Sequence, residues 1–314
     1  MSTAALRLGT RASLLARTQS ELVATELRDR LGREVELVHV TTEGDVNRAA
    51  LATLGGTGVF VGALRDALLR GEVDVAVHSL KDLPTTPHGG IALAAVPLRE
   101  DPRDVVVARN ALTLGELPVG SVVGTGSPRR TAQLHALGLG LEVVAIRGNV
   151  DTRIGKVHSG RVDAVLLARA GLARIGRLEV VTEVLDPLQM LPAPGQGALA
   201  VECRADDVAL LTDLATLDDP HSRAAVTAER AVLAGLEAGC SAPVGALAEI
   251  VEGDEGDELW IRAVALSADG ALTVRMSATG PTGDAFGVGT RLAEQMLDEG
   301  AADLMEPPAR KQHA

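Results

Sequence analysis

The chain has 314 residues, enough for two or three domains and a sizeable core, and its 30 basic against 42 acidic residues leave a net charge of −12; with aromatics at 1%, this excludes a general nucleic-acid binder, which needs a basic surface and rings to stack on bases. The two cysteines, Cys203 and Cys240, form no CxxC pair or Cys/His ladder, so neither a metal site nor a disulfide framework is expected and a reducing cytoplasm is the natural setting. No run approaches the ~20 apolar residues of a membrane span, and the start MSTAALRLGTRAS lacks the parts of an export signal, so a soluble, unexported protein with no membrane partner is expected.

In chain order, LRLGT reads as a strand, followed by a helix from about Ser13 to Leu31, the strand EVELVHV, a helix near VGALRDALLRG and the strand DVAVHS. From Val122 the pattern restarts: SVVGT, a helix from Arg129 to Leu137, LEVVAIRG, a helix near DTRIGKVHSG, then VDAVLLA. Short apolar strands alternating with amphipathic helices predict an α/β fold with largely parallel sheets. GEVDVAVHS at 71–79 aligns with GRVDAVLLA at 160–168, and RLGTRAS at 7–13 with SVVGTGS at 121–127. Such likeness arises between any two βαβ units or from two similar domains; two domains facing across a cleft is the preferred architecture. A third region begins near LDDPHSR, with a helix from Ser222 to about Ala238, the strands AEIVE, DELWIRAVALS and ALTVRMSATG, and a helix over 288–299. The expected domains are 1–97 with 198–215, then 103–191, then an α+β domain over 218–314.

Ligands of parallel α/β sheets bind at the carboxyl ends of strands, beside helix N-termini. There the chain places Thr10, Arg11 and Ser13; Lys81 and Asp82; Thr125, Ser127, Arg129 and Arg130; Arg147, Asn149 and Arg153; Arg169 and Arg174. Any one arginine is readily a solvated surface cation, and only Lys81, Lys156 and Lys311 among the 30 basic residues are lysines. Repetition at five strand ends of an acidic protein points instead to a ligand with several carboxylates or phosphates, gripped by forked guanidinium groups. GTGSPRR lacks the third glycine of a dinucleotide fingerprint, and no Walker A sequence occurs. Asp82 directly follows Lys81; an ionised carboxylate among cations suits stabilising a cationic intermediate, or holding a protonated ring nitrogen, better than acid catalysis. His78 is expected to face the core.

Cys203, in the apolar run ALAVECR, reads as a small core residue. Cys240, in LEAGCSAP, follows a helix end and precedes a proline; it is either a buried loop thiol or a nucleophile or attachment point, and no neighbouring histidine serves it as a base.

LRLGTRAS, GGTGVF, AVHSLKDLP, REDPRD, GTGSPRR, IRGNVDTR, AGLARIG, LPAPGQGALAVECR, AERA and GCSAPVGA occur in this order. Together they resemble the porphobilinogen deaminase (hydroxymethylbilane synthase) family from near the start to GAADLM near the end. The resemblance implies two periplasmic-binding-protein-like α/β domains plus an α+β domain, and a monomer. It also implies a dipyrromethane cofactor attached through a thioether to Cys240, and Asp82 as the catalytic carboxylate. The implied reaction condenses porphobilinogen into a linear tetrapyrrole. By motif, Arg11, Ser13, Gln19, Lys81, Thr125, Ser127, Arg129, Arg130, Arg147, Arg153 and Arg174 would bind the acid groups of cofactor and substrate, and Gln196 would line a hinge. Three departures stand out: Thr57 where the family often has lysine, Gly126 where serine is common, and LEAGC for LEGGC. The rival reading is a non-catalytic cytoplasmic anion-binding protein, which would have no use for Cys240.

Overall fold

The computed structural model describes residues 5–40, 56–238, 242–253 and 256–305, with the side chains of 56–60 left aside. Cys240 and the side chain of Thr57 therefore lie outside the described residues. In chain order the elements are β1 (Leu6–Thr10), α1 (Leu14–Leu31), β2 (Val35–His39), α2 (Gly56–Leu69), β3 (Val75–Ser79), β4 (Ile91–Ala95) and β5 (Asp104–Ala108). Then come β6 (Val122–Thr125), α3 (Pro128–Ala136), β7 (Glu142–Ala145), α4 (Val150–His158), β8 (Ala164–Ala168), α5 (Arg169–Arg174) and β9 (Glu183–Val184). The chain continues through β10 (Leu199–Arg204), α6 (Val208–Ala215), α7 (Pro220–Gly235), β11 (Val244–Gly253), β12 (Gly256–Leu266), β13 (Thr273–Pro281), α8 (Ala285–Asp298) and α9 (Ala301–Met305).

These elements gather into two compact units. The first comprises Met1–Pro102, Arg169–Leu178 and Gly195–Val226. Its sheet has the order β2-β1-β3-β10-β4. The first three strands are parallel and β10 runs antiparallel to both its neighbours. α1 starts at the N-cap Ser13, whose hydroxyl accepts the Ala16 N–H at 3.3 Å. Its buried face, Gln19, Ser20, Val23, Ala24 and Leu27, recurs at the three-to-four spacing of a helix that covers a sheet. Val23, Ala24 and Leu27 pack with Leu6, Leu8, Val75, Val77, Val201 and Cys203, so Cys203 is a core residue as expected, and burial pushes its thiol up to about 11.

The second unit comprises Arg103–Ala168, Glu179–Pro194 and Thr227–Ala314. Its first sheet, β7-β6-β8-β5-β9, repeats the same plan: β7, β6 and β8 parallel, β5 antiparallel on both sides. β1 and β6, and β3 and β8, occupy equivalent places, so the two pairs of like segments in the sequence are equivalent elements of two sheets. The expectation of largely parallel sheets needs correction, because half the pairings in each sheet are antiparallel. The physical reason is that β5 and β10 are buried along almost their whole length, so no alternation of polarity marks their direction.

A second sheet of this unit is the antiparallel meander β11-β12-β13. α8 buries Ala285, Val288, Gly289, Leu292, Ala293 and Met296 as one stripe. Ala132 of α3, Leu191, Leu247, Val264 and Leu266 form a small core that joins this sheet to α3. α7 begins two residues before the expected Ser222, because Asp219 accepts the Ser222 N–H at 2.7 Å and Pro220 fits the first turn. The last long helix begins at Ala285 rather than 288, and a short α9 follows it.

Candidate active site

In the first unit the chain leaves β3 through a tight turn, Leu80–Asp82, seated on the fully buried Leu80. This turn places Lys81 and Asp82 side by side at a strand end. Gln19 of α1 donates to the Ser79 hydroxyl at 3.0 Å, which fixes α1 to the root of the same turn. The Lys81 ammonium donates to Gln196 Oε1 at 3.1 Å, while Gln196 Nε2 donates to the Pro102 carbonyl at 2.7 Å. Gly197 adopts φ +89°, and a Cβ there would run into the Glu100 carbonyl, so only glycine lets the chain pass at this point. The same segment receives Arg99 Nε on the Gln196 carbonyl at 2.8 Å and Arg174 Nη2 on the Gly197 carbonyl at 2.6 Å. Burial pulls Arg174 down to about 10, with Glu100 opposing the shift. Arg169 is held by Glu100 at 3.0 Å and Asp101 at 3.4 Å. Asp82 is half-buried, and its carboxylate makes no hydrogen bond or ion pair among the described residues. Arg11 is half-buried too, on the loop between β1 and α1.

His78 faces the core, as expected, at 7% exposure. It meets a cluster that the sequence did not disclose: Arg65 of α2 grips Glu202 of β10 through Nε at 3.0 Å and Nη2 at 2.6 Å. His78 Nε2 lies 3.3 Å from Glu202 Oε2 in the same cluster. Burial pushes the Glu202 carboxyl up, yet the facing His78 and Arg65 outweigh it and hold it at about 2.

In the second unit Ser127 caps α3, its hydroxyl accepting the Arg130 N–H at 3.4 Å, and Pro128 occupies the first turn. Thr125 is buried at the end of β6, and its hydroxyl accepts the Ser127 N–H at 3.2 Å. Arg129 and Arg130 do not project from α3 into solvent; they are 3% and 5% exposed and converge on Asp104, which is fully buried at the start of β5. Arg129 Nη2 reaches Asp104 Oδ2 at 2.8 Å and Arg130 Nη2 reaches Oδ1 at 2.7 Å. Their outer nitrogens donate to the carbonyls of Leu191, at 2.5 Å, and Leu166, at 2.9 Å. Arg153 bonds the Gly148 carbonyl at 2.8 Å from α4, which Asn149 caps. Burial lowers the Arg153 guanidinium, and the charge of Arg130 lowers it further. Arg147 lies exposed on the loop between them. Gly126 explains how these loops approach: a Cβ there would lie 2.7 Å from the Ile146 carbonyl.

The expected site residues thus fall into two groups, Arg11, Ser13, Gln19, Lys81, Asp82 and Arg174 in the first unit, and Thr125, Ser127, Arg129, Arg130, Arg147 and Arg153 in the second. Asp104 has no assigned role in the sequence reading, although the motif REDPRD ends on it; its partners become visible only when β5 is placed beside α3. Among the described residues there is no acidic, histidine or cysteine cluster fit to hold a metal, and no helix long and apolar enough to cross a membrane.

Residues 6–212 match the family model described as "Porphobilinogen deaminase, dipyromethane cofactor binding domain", and residues 223–298 match "Porphobilinogen deaminase, C-terminal domain". The chain belongs to the porphobilinogen deaminase family. Among curated relatives of this family, porphobilinogen deaminase 1 of Streptomyces coelicolor is 59% identical over 314 residues, covering 97% of this chain and 98% of its own. Porphobilinogen deaminase of Mycobacterium tuberculosis is 58% identical over 308 residues, covering 96% and 98%. Among solved structures, the periplasmic VFT2 domain of Bordetella pertussis BvgS is similar at a TM-score of 0.42 and 18% identity, over 68% of this chain and 86% of that one. The cofactor-domain match spans every strand-end cation from Arg11 to Arg174, whereas Cys240 falls within the C-terminal match. As a porphobilinogen deaminase family member, the chain carries a dipyrromethane-binding domain.

Proposed function

We propose that this chain is a hydroxymethylbilane synthase, a transferase that condenses porphobilinogen head to tail, with loss of ammonia, into the linear tetrapyrrole used in porphyrin and haem biosynthesis. One observation carries the reading beyond family membership: Asp82, next to Lys81 at a strand end, is a half-buried carboxylate with no hydrogen-bond or ion-pair partner among the described residues. A carboxylate so placed can accept pyrrole N–H groups and stabilise positive charge that develops on a pyrrole ring. Among the described residues Asp104 alone is paired with the two buried guanidinium groups and offsets one of their charges, and the Nε atoms of Arg129 and Arg130 are buried without hydrogen-bond partners. That excess of buried positive charge fits a group that brings carboxylates, as pyrroles bearing acetate and propionate do.

The dipyrromethane, when bound, supplies the pyrrole end on which the chain of rings is lengthened. In this reading Cys240 is its thioether attachment point. Arg11, Ser13, Gln19, Lys81, Thr125, Ser127, Arg129, Arg130, Arg147, Arg153 and Arg174 bind and orient acid groups of cofactor and substrate. The reading keeps three domains, 1–97 with 198–215, 103–191 and 218–314, and a cytoplasmic monomer without nucleic-acid or membrane partners. Intact mass spectrometry tests it. Protein made in cells that synthesise porphobilinogen should carry the added mass of a dipyrromethane, lost in Cys240→Ser. A folded wild-type chain of unmodified mass, without turnover of porphobilinogen, would instead support an anion-binding protein without chemistry.

A further inference from the structure

Arg129 and Arg130 are neighbours on α3, and neighbouring helix residues project about 100° apart and do not face each other. Two guanidinium cations on adjacent positions therefore diverge unless a shared acceptor draws them together, and their charges repel. Asp104 is that acceptor. Each of its oxygens takes a different arginine, at 2.8 and 2.7 Å, and the carboxylate is fully buried. Each guanidinium is thus stretched between two fixed points, Arg129 between Asp104 and the Leu191 carbonyl, Arg130 between Asp104 and the Leu166 carbonyl. Gln133 secures the first anchor in turn, receiving the Leu191 N–H at 2.8 Å and donating to the Leu191 carbonyl at 3.0 Å.

The charge count is as informative as the geometry. Among the described residues two cations against one anion leave one positive charge, in a cluster almost closed to solvent. Burying net charge is costly, and a cluster built only to stabilise the fold would gain more from a matched pair or from apolar residues. Arg153, whose guanidinium feels the charge of Arg130, adds to the excess.

We propose that Asp104 is a positioning residue for the acid groups of the ligand: it aligns Arg129 and Arg130 in one orientation while leaving the cluster one positive charge in excess for a carboxylate. The proposal rests on the porphobilinogen reading and extends it to a residue that touches no ligand itself. Nothing covalent is involved; Asp104 stays an acceptor throughout.

The test compares Asp104→Asn with Val106→Ala. Val106 lies on the same strand, an uncharged side chain fully buried in an apolar cluster with Leu134 and Met190, so its variant controls for loss of core packing. For both variants the melting temperature, the dipyrromethane mass and the kinetic constants for porphobilinogen are measured on the full-length protein. Asp104→Asn is expected to lower the fraction carrying the cofactor mass and to reduce kcat/KM of the loaded protein roughly 10²-fold, mainly through KM, as misplacement of a binding group does. Val106→Ala is expected to lose melting temperature but keep its cofactor mass and KM. If Asp104→Asn loses only melting temperature, like the control, Asp104 is structural and the proposal fails. If Asp104→Asn instead binds porphobilinogen more tightly with turnover retained, added positive charge outweighs alignment, and the proposal also fails. Failure of the deaminase reading would show separately, as a wild-type protein without cofactor mass or turnover.

Discussion

At the scale of single residues, Asp82 and Gly126 behave in opposite ways. Asp82 is surrounded by the chemistry that its place in the turn predicts: Lys81 beside it, Gln19 and Ser79 at its root, and no partner of its own among the described residues. Asp82→Asn removes the negative charge and keeps the shape. It should retain the cofactor mass yet lower kcat roughly 10²- to 10³-fold, the usual cost of losing one preorganised electrostatic group; undiminished kcat would remove Asp82 from the chemistry. Gly126 looks, in the sequence, like a mere loss of a serine hydroxyl. Its surroundings show a stricter demand, because the Ile146 carbonyl occupies the space a Cβ needs. Restoring the family's common residue by Gly126→Ser should therefore destabilise this chain by about 1–3 kcal/mol, as overpacking does. Urea unfolding measures it, and an unchanged or raised midpoint would show that the loop yields freely. What was legible here followed from chain neighbours; the Gly126 constraint was not, since Ile146 belongs to a different strand end.

At the scale of elements, the Arg65–Glu202 pair fastens α2 to β10, and His78 places β3 in the same cluster. The Glu202 carboxyl is held at about 2 against an ordinary 4.5. A carboxyl lowered by folding contributes stability that is fully present above its unfolded value and is lost as pH falls towards its folded one. The window here is about pH 4.5 down to 2, and the shift corresponds to roughly 3 kcal/mol. Glu202→Gln should lower the melting temperature at pH 7 and flatten the loss of stability across that window. Parallel curves for the two proteins would rule out Glu202 as a source of acid sensitivity. None of this was legible in the sequence: Arg65 and Glu202 are 137 residues apart, and an arginine in an amphipathic helix reads as a surface cation. α1, by contrast, was legible to within a residue, because its cap and buried stripe are local features.

At the scale of the whole molecule, a chain of net charge −12 binds a polyanionic ligand only through cations gathered locally. Such attraction is screened by salt, whose Debye length falls from about 10 Å at 0.1 M to about 3 Å at 1 M. Raising salt over that range should increase KM for porphobilinogen severalfold with kcat little changed, and a salt-independent KM would contradict recognition by charge. The doubling of the fold belongs to this scale too. Paired likenesses in the sequence marked β1 with β6 and β3 with β8, but the reversed strand of each sheet carried no such mark.

The sequence by itself determined the local features: capped helices, strand ends rich in cations, the Lys81–Asp82 turn, and the family through an ordered set of motifs. Each depends on residues close along the chain, where backbone geometry and side-chain chemistry act without knowledge of the rest. Only the tertiary structure decided that Arg129 and Arg130 turn inward onto Asp104, that Glu202 secures α2, and that Lys81 meets Gln196 from 115 residues away. Those contacts are made when distant strands pair. Burial then selects which polar groups must meet, because a charge removed from water has to find its partner wherever the fold brings one.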